Sequence, residues 1–134
     1  MSTAVQGKVA LVTGSTSGIG LGIAEAFARA GMNVMLNGFG SKAEIDATRD
    51  RLGKEYAVEV AFSGADMAVP DEVAGMVEDA RRYFGAVDVL VNNAGIQHVA
   101  PLQDFPPAKW DAILAINLSS AFHTTRLALP SMIA

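Results

Sequence analysis

Apolar and polar positions along this chain follow two periods, and the switches between them lay out its elements. Val9-Ala10-Leu11-Val12 is an unbroken apolar run without alternation, as in a strand buried on both faces. From Ile19 to Ala30 the spacing turns helical, with Ile19, Ile23, Ala26, Phe27 and Ala30 on one face and Gly31 as the stop. Val34-Met35-Leu36 reads as a second strand. Ser41 followed by Glu44 has capping-box spacing and predicts a helix running to about Lys54. Val58 to Phe62 predicts a third strand. Pro70 suits the first turn of a third helix, with Asp71 and Glu72 near its positive dipole end. Val73, Met76, Val77, Ala80 and Phe84 give that helix its apolar face, and Gly85 ends it. Val87 to Val91 predicts a fourth strand. From about Pro107 the pattern is one long or broken helix with Trp110, Ile113 and Leu114 as its early apolar face, which Pro130 is expected to kink or end.

Strand and helix alternate with short connections, which predicts βαβ units in an α/β chain. The expected architecture is a doubly wound parallel sheet of about four strands with helices on both faces. No internal repeat, linker or low-complexity segment interrupts it.

Composition narrows the function. With 134 residues, 51% hydrophobic and 18% charged, the chain has material for a folded core and for at most one domain. A net charge of -4 and the absence of a Lys/Arg cluster argue against a nucleic-acid partner. There are no cysteines, hence no disulfides and no Cys-based metal site, and no metal ligands are assigned. Met1 to Gly7 has neither a basic segment nor an apolar core of signal-peptide type, and no apolar run is long enough to span a bilayer. The expectation is a cytoplasmic protein without a membrane partner.

The candidate chemistry begins at Thr13-Gly14-Ser15-Thr16-Ser17-Gly18-Ile19-Gly20, between the first strand and the first helix. Three glycines there let the backbone approach a ligand, and the helix N-terminus offers N–H groups suited to a pyrophosphate. An ordinary glycine-rich turn is the plainer alternative. Asn92-Asn93-Ala94-Gly95 follows the fourth strand, at the carboxyl edge where open parallel sheets bind ligands, although Asn and Gly alone also mark a turn. Asp66, just past the third strand, can accept from an adenine amino group or can cap a loop. Asn117 interrupts an apolar helical stretch and needs a partner if buried: a water, a backbone carbonyl near an active site, or a purely structural bond.

Together these residues resemble the short-chain dehydrogenase/reductase family, over essentially the whole chain. The resemblance implies a Rossmann fold binding NAD or NADP, with residues 1–134 as the N-terminal part of a single dinucleotide-binding domain. It implies that Gly14, Ser17, Gly18, Ile19 and Gly20 meet the pyrophosphate region, Asp66 the adenine, Asn93 the adenosine ribose region and Gly95 the nicotinamide side. Asn117 matches the family's catalytic-tetrad Asn, which holds a water in a proton relay. Asn93 to Val99 and Leu36 to Gly40 are similar to the bacterial 3-hydroxybutyrate dehydrogenases within the family. That likeness puts Phe39 at the cofactor and turns Gln97 toward a substrate carboxylate, a role its amide can fill by donating, although Gln97-His98 is also an ordinary polar loop. It implies a small hydroxy or keto acid substrate, 3-hydroxybutyrate exchanging with acetoacetate, while related ketoacyl reductases and sugar dehydrogenases share most of these residues. Family members commonly form tetramers through long helices, and Lys109 to Ile133 is apolar enough to serve.

Two departures matter. Asn37, Gly38 and Phe39 stand where an Asp or Glu would meet the ribose 2′-hydroxyl, and no Arg or Lys is there for a 2′-phosphate, so NAD is the expected cofactor. The family's Tyr with a Lys four residues on is also missing: Val60 and Val87 follow Tyr56 and Tyr83 at that distance. The chain is therefore expected to be the amino-terminal half of an enzyme, inactive alone, and unstable unless paired with the other half. A non-catalytic NAD-binding or interaction module is the competing reading, and a methyltransferase-like fold a distant third.

Overall fold

The computed structural model describes residues 4–134; residues 1–3, at the start of the N-terminal stretch read above as free of a signal peptide, lie outside the described residues. Four strands form one parallel sheet: β1 (Val9–Val12), β2 (Asn33–Asn37), β3 (Val60–Ser63) and β4 (Val89–Val91), in the spatial order β3-β2-β1-β4. Ala10 stands between Val34 and Val89 in the register, and Leu36 pairs with Phe62. The helices are α1 (Gly18–Arg29), α2 (Lys42–Tyr56), α3 (Pro70–Phe84), α4 (Pro107–Leu114) and α5 (Ser120–Ile133), with a π turn over Ala115–Ser119 joining the last two.

All four β1 residues are buried because the sheet is covered on both sides. Leu11, Met35 and Ala61 pack under Val73, Met76, Val77 and Ala80 of α3 and Ala128 of α5. Val12, Val34, Leu36 and Val60 pack on the other face against Ala24 and Ala28 of α1 and Leu52 of α2. This is the doubly wound α/β arrangement the alternating pattern predicts.

The helix signals act as expected at most ends. Ser41 Oγ accepts from the Glu44 N–H at 3.1 Å. Gly85, at φ 90°, ends α3 in the left-handed region, while Ala57, at φ 56°, does the same for α2 without a glycine. β3 starts two residues later than Val58 because the Val58 N–H is taken by the Gly53 carbonyl.

One expectation is corrected. The face of α1 that meets the sheet is Gly20, Ala24 and Ala28, with Ile23 and Phe27 flanking it, while Ile19 is 80% exposed and Ala26 and Ala30 are open. The helix lies too close to the strands for larger side chains, so the small residues set the contact. Of the two outcomes expected at Pro130, an end is not seen: the residue lies inside α5, which continues to Ile133. Trp110 and Leu114 of the expected apolar face are exposed, and their stripe continues through Leu118 and Phe122. Among the described residues no helix is long and apolar enough to cross a membrane.

Candidate functional site

Because all four strands run the same way, their exits share one edge of the sheet, and that edge holds a cleft of about 270 Å³. Gly14, Thr16 and Ser17 line it from the β1 exit, Asn37, Gly38 and Phe39 from β2, Ala65 and Met67 from β3, Ala94, Gly95 and Ile96 from β4, and Ile116 from the π turn. None of these side chains carries a charge.

The β1 exit is shaped by close packing. Gly14 sits at φ 61°, and a Cβ there would lie 2.9 Å from Ala94 Cα. A Cβ on Gly20 would lie 2.1 Å from the Gly14 carbonyl oxygen. Ser17 precedes α1 without a side-chain capping bond, so among the described residues the N–H groups of that helix's first turn have no capping side chain. An uncapped helix N-terminus behind a bare backbone turn suits an anionic group such as a pyrophosphate.

Two buried polar side chains hold this turn in place. Thr13 Oγ1 accepts from the Asn93 N–H at 3.0 Å and the Ala94 N–H at 2.9 Å. Asn93 Nδ2 donates to the carbonyls of Thr13 at 3.1 Å and Gly14 at 3.0 Å. Asn37 Oδ1 accepts from the Gly14 N–H at 3.0 Å, and its Nδ2 donates to the carbonyls of Ser63 and Ala65, each at 3.1 Å. Thr13 and Asn37 had no assigned role in the sequence. The available signal was position alone: a polar residue ending a buried strand must find partners in neighbouring loops.

Beyond β4, Asn92 Oδ1 accepts from the hydroxyl of Thr124, buried in α5. Asn117 lies in the π turn, and its Oδ1 accepts from the Ile96 N–H at 2.8 Å while Nδ2 donates to the Ile96 carbonyl at 2.9 Å. The neighbouring Gly95 has room: a Cβ there would be 3.5 Å from Asn117 Oδ1, an ordinary contact. π turns of this kind recur at functional sites.

The remaining expected residues are placed less tightly. Asp66 Oδ1 accepts from the Ala68 N–H at 2.9 Å, and the Asp66 N–H donates to Glu72 Oε1 at 3.0 Å, so the residue shapes the approach to α3 and does not line the cleft. Phe39 is 71% exposed at the cleft rim, its carbonyl accepting from Thr16 Oγ1 at 2.8 Å. Gln97 is exposed on the loop after Ile96, outside the cleft lining, and the His98 ring beside it packs edge-on against Phe105 with centroids 5.3 Å apart. Among the described residues no three His, Cys, Asp or Glu side chains converge as a metal site.

Neither tyrosine reaches this edge. Tyr56 and Tyr83 sit at the C-terminal ends of α2 and α3, and in a parallel βαβ chain those ends lie at the opposite edge of the sheet. Tyr56 Oη donates to Glu25 Oε2 at 2.7 Å, and this bond to a carboxylate, with burial, raises its pKa, the opposite of what a proton donor at neutral pH requires.

Comparison with known proteins agrees with this geometry. The family model described as short chain dehydrogenase matches residues 8–134. A D-beta-hydroxybutyrate dehydrogenase of Cupriavidus necator is 57% identical over 129 residues, covering 96% of this chain and 49% of that protein. Another of the same name from Rhizobium meliloti is 50% identical, covering 93% of this chain and 48% of that protein. Among solved structures, L-sorbose reductase from Gluconobacter frateurii, complexed with NADPH and L-sorbose, superposes with a TM-score of 0.92 at 34% identity, covering 98% of this chain and 50% of that one. The chain thus spans about half the length of the curated relatives it matches.

Proposed function

The chain belongs to the short-chain dehydrogenase family, and from that premise we propose that its cleft takes NAD and that the complete protein interconverts 3-hydroxybutyrate and acetoacetate. In this reading residues 1–134 are the N-terminal part of one dinucleotide-binding domain. The observation that supports the cofactor choice is the uncharged cleft: no Arg or Lys that could hold a 2′-phosphate lines it, Lys42 and Arg49 lying instead along the adjoining hollow that shares Gly38 and Phe39. The N–H groups of Gly18, Ile19 and Gly20 hold the pyrophosphate, with Gly14 and Ser17 beside it. Asp66 and Phe39 flank the adenine, Asn93 keeps the turn against β4, and Gly95 faces the nicotinamide.

The nicotinamide supplies the hydride acceptor. This chain binds, orients and excludes water. Asn117 holds Ile96 and the π turn, and its amide keeps one N–H and one lone pair for a water. Gln97 donates to the substrate carboxylate from the loop Asn117 anchors. Trp110, Leu114, Leu118 and Phe122 form the contact of a homo-tetramer. Tyr56 and Tyr83, at the far edge of the sheet, do not serve as the general acid in this reading.

One observation favours a second reading, a reductase acting on a sugar or ketoacyl group with NADPH: the close superposition on L-sorbose reductase. The two separate by steady-state kinetics on the complete polypeptide. The leading reading expects reduction of NAD by 3-hydroxybutyrate and a Gln97→Ala variant whose substrate KM rises far more than its KM for NAD. Turnover only with NADPH and a sugar, or unchanged hydroxy acid kinetics in Gln97→Ala, would overturn it.

A further inference from the structure

Asn37 is 1% exposed at the end of β2, and its side-chain amide joins three chain segments. Oδ1 accepts from Gly14 in the cofactor turn, while Nδ2 spends both hydrogens on the Ser63 and Ala65 carbonyls at the β3 exit. Its main chain is bonded as well: the N–H donates to Ser15 Oγ at 3.0 Å and the carbonyl accepts from the Ser15 N–H at 2.6 Å. Turning the amide toward the cleft would leave two carbonyls and one N–H unpaired in the interior. The next position is closed too. Gly38 sits at φ 151°, and a Cβ there would lie 2.5 Å from Thr16 Oγ1, which donates to the Phe39 carbonyl.

We propose that Asn37 is the positioning residue of the cofactor turn, and that its inward tie removes recognition of the ribose by a strand-end carboxylate from this chain. The proposal rests on the NAD reading above. By sequence, Asn37 registers only as a missing acid. In the structure it does a different job: it sets where the Gly14 backbone stands relative to β2 and β3, and leaves the ribose hydroxyls to backbone groups and the Thr16 and Ser17 hydroxyls.

Asn37→Asp tests this directly. It keeps an acceptor for Gly14 but turns an oxygen toward two carbonyls, an arrangement tolerated only when the acid is protonated. The segments packed on Asn37 (13–15, 38–39 and 63–65) carry no titratable side chain. Asp66, the next residue along, faces the Ala68 N–H and is common to both proteins.

In the complete polypeptide, NAD binding is read by fluorescence titration and Gly14 amide protection by hydrogen exchange. We expect Asn37→Asp to bind NAD about tenfold more weakly than the unaltered protein at about pH 8 and to recover toward it at about pH 5.5. Asn37→Ala should lose about tenfold at both values, with Gly14 exchange about tenfold faster relative to Leu11. Asn37→Asp binding NAD as well or better at the higher pH would mean that the carboxylate reaches the ribose, and would overturn the proposal. So would Asn37→Ala with unchanged affinity and unchanged Gly14 exchange; this variant decides if Asn37→Asp does not fold. An unaltered protein that binds no NAD sinks the cofactor reading instead, and Gly14 exchange then still decides the tie.

Discussion

Asn117 and Ile96 form a closed two-bond ring, the Asn side chain accepting from the Ile96 N–H at 2.8 Å and donating to the Ile96 carbonyl at 2.9 Å. The ring joins the π turn to the strand exit that carries Gly95 and Gln97. Asn117→Leu keeps the approximate shape and removes both bonds, at an expected cost of ~1–2 kcal/mol in stability. If the ring also places catalytic groups, kcat should fall by more than that stability loss explains, at temperatures where the variant is fully folded. Denaturant midpoints and steady-state rates on the complete polypeptide check this. Normal kcat in a destabilised Asn117→Leu would leave the residue a structural role only.

Two glycines two residues apart in α1, on nearly opposite sides of the helix, make a second, internal comparison. A Cβ on Gly20 would stand 2.1 Å from the Gly14 carbonyl oxygen and 2.5 Å from Asn93 Nδ2, whereas one on Gly22 meets nothing within 4 Å. Gly20→Ala must push the turn away from β4 and should destabilise by about 1–3 kcal/mol or more, with weaker NAD binding. Gly22→Ala should be neutral or stabilising by up to about 1 kcal/mol, because it only improves helix propensity. Equal effects in the two variants by urea denaturation would refute the close packing of α1.

The layered α/β fold and the sheet's carboxyl edge were legible because they follow from period and order: β1 lacks alternation, and α3 shows Val73, Met76, Val77 and Ala80 at helical spacing, all of them buried. The face of α1 was misread because hydrophobicity ranks Ile19 above Gly20, while the helix-to-sheet distance ranks them the other way. Thr13 and Asn37 stayed silent because a three-way tie depends on strand order, and nothing in the chain states that β2 and β4 both flank β1. Asp66 had two readings; its Oδ1 accepts from the Ala68 N–H, as the loop-cap reading expects, and that bond leaves the adenine reading open. The Trp110 face was legible as an apolar stripe, but what covers it is not written in these residues.

That uncovered face leads to an assembly prediction. Leu118 and Phe122 are 66% and 62% exposed on the side of the π turn and α5 that also shows Trp110 and Leu114. If this stripe is the oligomer contact, Leu118→Arg and Phe122→Arg should each lower the assembly state of the complete protein, with little change in the fold, because neither side chain is buried here. Light scattering after size exclusion reads the mass. An unchanged mass in both variants would move the contact elsewhere.

The last prediction concerns acid stability and lies away from the cleft. Glu25 on α1 receives two bonds from Arg51 on α2, at 3.0 and 3.2 Å, and one from Tyr56 at 2.7 Å. The Arg51 bond first, and the Tyr56 bond second, lower its pKa from 4.5 to about 2. The unfolded chain therefore takes up this proton before the folded one does. The tie contributes fully above about pH 4.5 and is lost as the pH falls toward about 2, so stability must decline across that window. Glu25→Gln keeps an acceptor for Tyr56 but has nothing to titrate, and should flatten this part of the profile. Asp46, lowered by its bond from Lys42, adds a slope of the same sign in both proteins, so the difference between them isolates Glu25. Urea midpoints from neutral pH to about pH 2 give the comparison. Arg51→Ala should reduce the slope more than Tyr56→Phe, in the order of their effects on Glu25, and the reverse order would contradict the assignment.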